Sequence, residues 1–244
     1  MRKILFTCHG RPIYSYPAML YVGLVAGVFA GAHIARDSGL SADKFALAIV
    51  ILVVPALVGS RLYFVLTRWE FYRREPRRIW RRSEGGMAMY GGLILAVPLS
   101  LPLLWALRLP FGAFWDAATF TILLGMAFGR LGCLLNGCCG GRPTGGWFAL
   151  ELPDHTGAWQ RRYPTQLMEM TFALMLFAAA FVLRDRAPFP GAIFAAAVAA
   201  YGAGRALLET LREHGAGARD RVVMQATSVL LVVTALAGLA FASI

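Results

Sequence analysis

Apolar runs of about twenty residues, separated by short polar connections, fill the chain from Tyr14 onward. A hydrocarbon core about 30 Å thick needs roughly 20 residues of helix to cross it. Seven stretches have that length: about 14–34, 45–66, 87–107, 115–136, 165–183, 191–211 and 222–243. Together they predict an all-α integral membrane protein with about seven transmembrane helices. They use most of the 244 residues, so a single polytopic domain over 1–244 is expected and no soluble domain fits.

Two connections are longer. Arg68 to Glu84 holds seven arginines among Trp69, Phe71, Tyr72 and Trp80, the composition of a helix or hairpin lying at headgroup level. It either attracts anionic membrane lipids, at about 1 kcal/mol per basic residue, or sets topology with snorkelling side chains. Gly137 to Tyr163 carries Glu151, Asp154, His155, Arg161 and Arg162, and its glycines and prolines argue for irregular structure. That loop caps a cavity and admits substrate, or is a solvated connector.

Composition agrees with the pattern: 58% of residues are hydrophobic and 15% charged, with a mean hydropathy of +0.60. The net charge of +11 is mostly arginine in short loops. It does not form a basic folded module, so no nucleic-acid partner is expected. Polar residues precede the first span, so no cleavable signal is expected. Leu5-Phe6-Thr7-Cys8 faintly resembles a lipoprotein cleavage box, but no apolar helix stands before it. The N-terminal side carries about 16 Lys/Arg against about 5 on the other, which by the positive-inside rule places the N-terminus in the cytoplasm.

Polar residues inside the spans change the picture most. Gly129-Arg-Leu-Gly-Cys-Leu-Leu-Asn-Gly-Cys-Cys-Gly-Gly-Arg142 puts Arg130 and Asn136 at the end of an apolar run. A cation at membrane depth costs about 2.5–3.5 kcal/mol on insertion scales, so it faces a bundle interior or wet cavity. Tyr16 opens the first span. Glu84-Gly-Gly-Met-Ala-Met-Tyr90-Gly-Gly-Leu doubles a glycine pair around a polar aromatic. In Tyr163-Pro-Thr-Gln166-Leu-Met-Glu169, Gln166 and Glu169 share a helix face at i,i+3. Tyr201, Arg205 and Glu209 stack at i,i+4, with Arg212 one turn below. Arg205 and Glu209 alone suit a structural ion pair, but two intramembrane arginines suit a phosphate, which a guanidinium fork meets with two hydrogen bonds.

The cysteines are Cys8, Cys133, Cys138 and Cys139. Their C-x4-C-C spacing is not that of a zinc site. They read as small thiols packed near glycines, or as a redox pair at 138–139.

In order and at fitting spacings, these motifs resemble those of the bacterial phosphatidylglycerol–prolipoprotein diacylglyceryl transferases over nearly the whole chain. Tyr16 matches, as does Gly59-Ser-Arg61-Leu-Tyr-Phe-Val-Leu. Glu84 to Leu93 is similar to the family's His-Gly-Gly-Leu motif, and Gly129 to Gly137 to its G-R-[IL]-G-N-F-I-N-G-E signature. Tyr163 to Glu169 resembles its His-Pro-[ST]-Gln-Leu-Tyr-Glu, and Tyr201 to Arg212 its Y-G-x-x-R-x-x-x-E-x-x-R. Departures fall at Tyr90 and Tyr163, which replace histidines, and at Cys133 and Cys138, which replace an asparagine and a glutamate. Tyrosine, with a pKa of about 10, is a poor base for a thiol of pKa about 8.5. Either no base is needed, or Tyr90 is perturbed, or Glu169 or His155 substitutes as the base.

The resemblance implies transfer of the diacylglyceryl group of phosphatidylglycerol to the lipobox cysteine thiol of prolipoprotein signal peptides, forming a thioether and releasing glycerol phosphate. It implies catalytic roles for Arg130, Arg205 and Tyr90. Substrate binding falls to Tyr16, Arg61, Asn136, Gly137, Gln166, Glu169, Tyr201 and Glu209, with Glu209 orienting Arg205. It implies no cofactor and no metal. The implied location is the bacterial inner membrane with the cavity toward the periplasm, against the charge count. Two other readings stand beside it: a non-enzymatic membrane protein binding or transporting an anionic lipid or solute, and a redox protein using Cys133, Cys138 and Cys139.

Overall fold

The structure, a computed structural model, describes residues 2–79, 89–153, 157–212 and 218–242. Trp80, Arg81, Arg82, Glu84, Asp154, His155 and Glu213 lie outside the described residues. Among the described residues seven helices follow the apolar runs, with a short one in the Arg-rich connection: α1 (Ser15–Asp37), α2 (Ala42–Thr67), the short α3 (Trp69–Tyr72), α4 (Met89–Leu107), α5 (Phe111–Asn136), α6 (Thr165–Leu183), α7 (Ala192–Glu209) and α8 (Ala218–Ala242). Among the described residues, six of them are long and apolar enough to cross a membrane. Helix α8 stands where the seventh span was expected, with an apolar stretch over Gln225–Ala235.

The helices pack through small residues, as lipid-embedded helices do when no hydrophobic force separates them from the lipid. Along α1, Gly23, Gly27 and Gly31 face α5. A Cβ on Gly27 would lie 2.7 Å from the Thr121 carbonyl oxygen, and one on Gly23 2.7 Å from Phe128 Cβ. The Thr121 hydroxyl donates to the Gly27 carbonyl at 2.8 Å, tying the same crossing. Gly59 of α2 meets Gly91 of α4 backbone to backbone. The glycines beside Tyr90 thus serve a helix crossing. Asp116 of α5 accepts from the Gly191 and Phe194 amides at 2.6 and 2.9 Å, capping the N-terminus of α7.

Apolar side chains concentrate at one end of the bundle. Phe45, Leu52, Leu104, Phe114, Trp115 and Phe120 lie at its centre, where Trp115 Nε1 donates to the buried Ser100 hydroxyl at 3.0 Å. Because the spanning helices alternate in direction, the opposite end collects the start of α1, α4 and α6 and the finish of α2, α5 and α7. Every intramembrane polar candidate therefore falls at that end.

Two small antiparallel hairpins add to the helices. In the first, β1 (Ile4–Cys8) pairs with β2 (Arg11–Tyr14) across His9 and Gly10, both at positive φ. The second corrects the expectation of irregular structure over 137–163: β3 (Leu150–Pro153) pairs with β4 (Trp159–Arg162). Most of the glycines and Pro143 precede it, Pro153 ends β3, and Gly157 lies between the strands. Within it Leu152 and Arg162 are buried, and Glu151 stands opposite Arg161, an attractive cross-strand pair. The Arg-rich segment begins as helix α3 and a 3-10 turn at Pro76–Arg78, with Arg68 over the Phe64 ring at 4.0 Å and Arg78 over Phe71 at 4.8 Å.

Candidate active site

Glu169, one turn into α6 and 1% exposed, gathers three arginines from two other elements. Arg130 of α5 reaches its Oε2 at 2.5 Å. Arg205 of α7 and Arg212, just beyond α7, reach Oε1 at 2.9 and 3.0 Å. The Arg205 contact is an aligned hydrogen bond. Arg205 also pairs with Glu209 at 2.7 Å, as the i,i+4 spacing requires. Among the described residues the cluster holds three guanidiniums and two carboxylates, one positive charge in excess. Charges buried this deeply are stable only when paired.

Exposure separates the arginines. The Arg205 side chain is 9% exposed, whereas Arg130 and Arg212 keep 19% and 18%. Arg205 is the inner post of the cluster, and the other two have an open edge. Burial, and then repulsion from Arg205, lower the pKa of Arg212 from the ordinary guanidinium value. Arginine still stays charged.

The loop after α5 forms the floor. Gly137 ends that helix at φ 73, with its amide on the Leu134 carbonyl and the Cys138 amide on that of Cys133, a Schellman cap. Gln166 Nε2 donates to the Cys138 carbonyl at 2.7 Å, and the Thr165 hydroxyl to that of Cys139 at 2.9 Å. The Gly141 amide bonds to the Tyr163 carbonyl, and that of Arg142 to Leu211, both at 2.9 Å. The buried Arg162 donates to the Gly141 carbonyl at 3.2 Å. The loop is thereby locked between α6 and the end of α7.

The expected site residues divide on this map. Arg130, Glu169, Arg205 and Glu209 form one cluster. Tyr201 is buried beside it, and its hydroxyl has no hydrogen-bond partner among the described residues. Tyr16 packs on Gly132 of α5, where a Cβ would lie 3.3 Å from its Cα. Gln166 spends its amide nitrogen on the loop, while its Oε1 is buried without a partner among the described residues. Asn136 is the last residue of α5. Gly137 is the helix cap.

Arg61 is engaged elsewhere, donating to the carbonyls of Ile79 at 2.7 Å and Arg78 at 3.2 Å and so holding the Arg-rich segment. Tyr90 meets the Ser228 hydroxyl of α8 at 2.7 Å. With Tyr201, Thr119, Met126 and Leu231 it lines an apolar cavity of about 60 Å³, continuous with the outside.

Two participants escaped the sequence reading as site residues. Arg212 and Arg162 sit in polar connections, where charge is ordinary, and only the fold buries them. Sγ atoms of Cys133, Cys138 and Cys139 lie within 4.8 Å of one another. Hydrogen bonds from the other two thiols, and then the charges of Arg212 and Arg130, hold the Cys139 thiol below the usual range.

These features define a class: a polytopic membrane protein with a buried arginine–glutamate cluster where its helices end. The family model for prolipoprotein diacylglyceryl transferase matches residues 3–241, and the chain belongs to that family, whose members are transferases. Among relatives, a phosphatidylglycerol–prolipoprotein diacylglyceryl transferase of Trichormus variabilis is 29% identical, covering 93% of this chain and 84% of its own. One of Symbiobacterium thermophilum is 29% identical over 93% and 87%, and one of Finegoldia magna 27% over 96% and 92%.

Proposed function

We propose that this protein moves the diacylglyceryl group of phosphatidylglycerol onto the lipobox cysteine of prolipoprotein signal peptides. It does so in the bacterial cytoplasmic membrane, with the cavity opening toward the periplasm. The substrate sulfur attacks the sn-3 glycerol carbon of the lipid as the bond from that carbon to the phosphate oxygen breaks. A thioether forms, glycerol phosphate departs with the bonding electrons, and the thiol proton is released. The reaction therefore needs charge stabilised on a departing phosphate.

The observation that carries this reading is the convergence of Arg130, Arg205 and Arg212 on Glu169, with one positive charge in excess among the described residues. A phosphodiester monoanion matches that excess. The open edges of Arg130 and Arg212 would meet it with forked N–H pairs, and cations fixed in a dry site act strongly on developing charge. Arg205, held between two carboxylates, aligns the other two through Glu169. The buried Tyr201 hydroxyl can donate to a headgroup oxygen and the buried Gln166 Oε1 can accept from a headgroup hydroxyl, with Tyr16 and Asn136 at the same end. The apolar cavity beside Tyr90 suits an acyl chain or the glycerol backbone, and Tyr90 orients substrate and assists proton transfer there. Glu169 serves the arginines, which leaves it badly placed to take the thiol proton. Arg61 and Gly137 shape the surroundings by holding the Arg-rich segment and the loop.

Complementation of a transferase-depleted cell, paired with a lipobox-peptide assay on purified protein in phosphatidylglycerol, tests the proposal. Wild type should rescue and form thioether product, and Arg130→Ala should lower kcat/KM by about 10²–10³-fold, the usual effect of removing one charge-stabilising donor. Failure of wild type to do either, or unchanged activity of Arg130→Ala, would overturn it. One departure from the family pattern, Tyr90 in place of histidine, favours a second reading as a binder or transporter of an anionic lipid. Lipid binding without thioether formation in the same assay would select that reading.

A further inference from the structure

Nothing in a diacylglyceryl transfer calls for three cysteines of the protein's own, yet the fold brings three together. Cys133 is on the last turn of α5, buried beside Gly132. The chain then turns at Gly137, φ 73, and again at Cys139, a non-glycine residue in the left-handed region at φ 62. These turns fold Cys138 and Cys139 back toward the helix end, and the three Sγ atoms come within 4.8 Å of one another. Cys8, the fourth cysteine, is exposed on the N-terminal hairpin beside His9.

We propose that Cys133, Cys138 and Cys139 form a binding site for a single thiophilic d10 metal ion, with Cu(I) the expected occupant. Three sulfurs placed about 2.3 Å from a common centre in a trigonal plane stand about 4 Å apart, so the cluster needs only a small contraction to close on an ion. Thiolates select soft ions. Among the described residues no histidine or carboxylate joins the group, so the donor set is three sulfurs. That number suits three-coordinate Cu(I) and leaves tetrahedral Zn(II) short of one protein ligand. Binding exchanges three thiol protons for one cation and leaves a complex of charge −2. Arg130 and Arg212, whose charges act on Cys139, offset part of that charge.

The backbone supports the same arrangement. The Cys138 and Cys139 carbonyls are held by Gln166 and Thr165, so the two ligands are positioned before any ion arrives. Cys133 lies one turn beyond Arg130 on α5, so an ion there would sit directly against the guanidinium cluster. The inference concerns these thiols alone and stands independently of the transferase reading.

The test uses the full chain, purified in detergent under anaerobic reducing conditions. Cu(I) is offered from its complex with bathocuproine disulfonate, and Zn(II) in a parallel titration. One Cu(I) should bind per chain, with near-ultraviolet thiolate-to-metal absorption, and loading should leave Cys8 as the one thiol open to maleimide. Cys139→Ser, at the exposed member of the three, should weaken binding at least about a hundredfold, beyond what losing an outer partner does. Cys8→Ser should leave it unchanged. Substitution of the buried Cys133 risks the fold, which is why the decisive variant is Cys139→Ser, checked for an unaltered melting temperature without metal. No Cu(I) taken from the competitor, retention of full affinity by Cys139→Ser, loss of it in Cys8→Ser, or uptake of Zn(II) alone would overturn the proposal.

Discussion

Glu169 and its three arginines show how a single side chain acquires its meaning. In sequence it is one glutamate at the start of an apolar run, read as a substrate-binding residue or a stand-in base. In the fold, both of its oxygens face guanidiniums. Removing one partner of such a buried set leaves charge uncompensated, at about 3–5 kcal/mol. Glu169→Gln and Arg205→Ala should therefore lower the thermal midpoint in detergent sharply. Arg130→Ala, at a residue with an open edge, should keep most of the stability while losing activity. Equal melting of Arg130→Ala and Arg205→Ala would contradict that division of labour. Arg130, Arg205 and Glu209 were legible because charge inside an apolar run demands an explanation. Arg212 was legible only as the end of the Tyr201–Arg205–Glu209 series, and Arg162 not at all, because an arginine in a polar connection is ordinary until tertiary contacts bury it.

At the scale of elements, the helices were readable from length and apolarity, but their partners were not. Both faces of a membrane helix are apolar, so the pattern carries little about which face meets protein. Small residues do carry it. Gly23, Gly27 and Gly31 repeat every four residues and mark the side of α1 that meets α5. Gly27→Ala places a methyl 2.7 Å from a backbone oxygen that has no room to yield. It should destabilise by about 1–3 kcal/mol, read as lower protease resistance and melting temperature. Asp116→Ala removes the side chain that caps α7 and should cost about 0.5–2 kcal/mol. The same measurement checks it, with KM for lipid unchanged because the cap is at the end remote from the arginines. The β3–β4 hairpin escaped notice since its strands are four residues each and lie in a segment rich in turn formers.

For the molecule as a whole, alternation of the spans is the organising fact. It brings residues from Tyr16 to Arg212 to one end and leaves Asp185, between α6 and α7, at the other. In a background with the native cysteines replaced, Trp147→Cys and Asp185→Cys, both at highly exposed positions, should label from opposite sides of the membrane. Labelling of Trp147→Cys from the periplasmic side would support the proposed orientation, and labelling from the cytoplasm would reverse it in favour of the arginine count. The sequence by itself determined the membrane class, the approximate spans, the family's motifs and the end of the bundle where chemistry gathers. All of these follow from local length, polarity and order along the chain. The tertiary structure alone decided that three arginines share one carboxylate, that Gln166 and Thr165 clamp a loop, and that three cysteines meet. Such contacts join residues up to about forty positions apart. They depend on how helices rotate and cross, which close packing of small residues settles and no local pattern encodes.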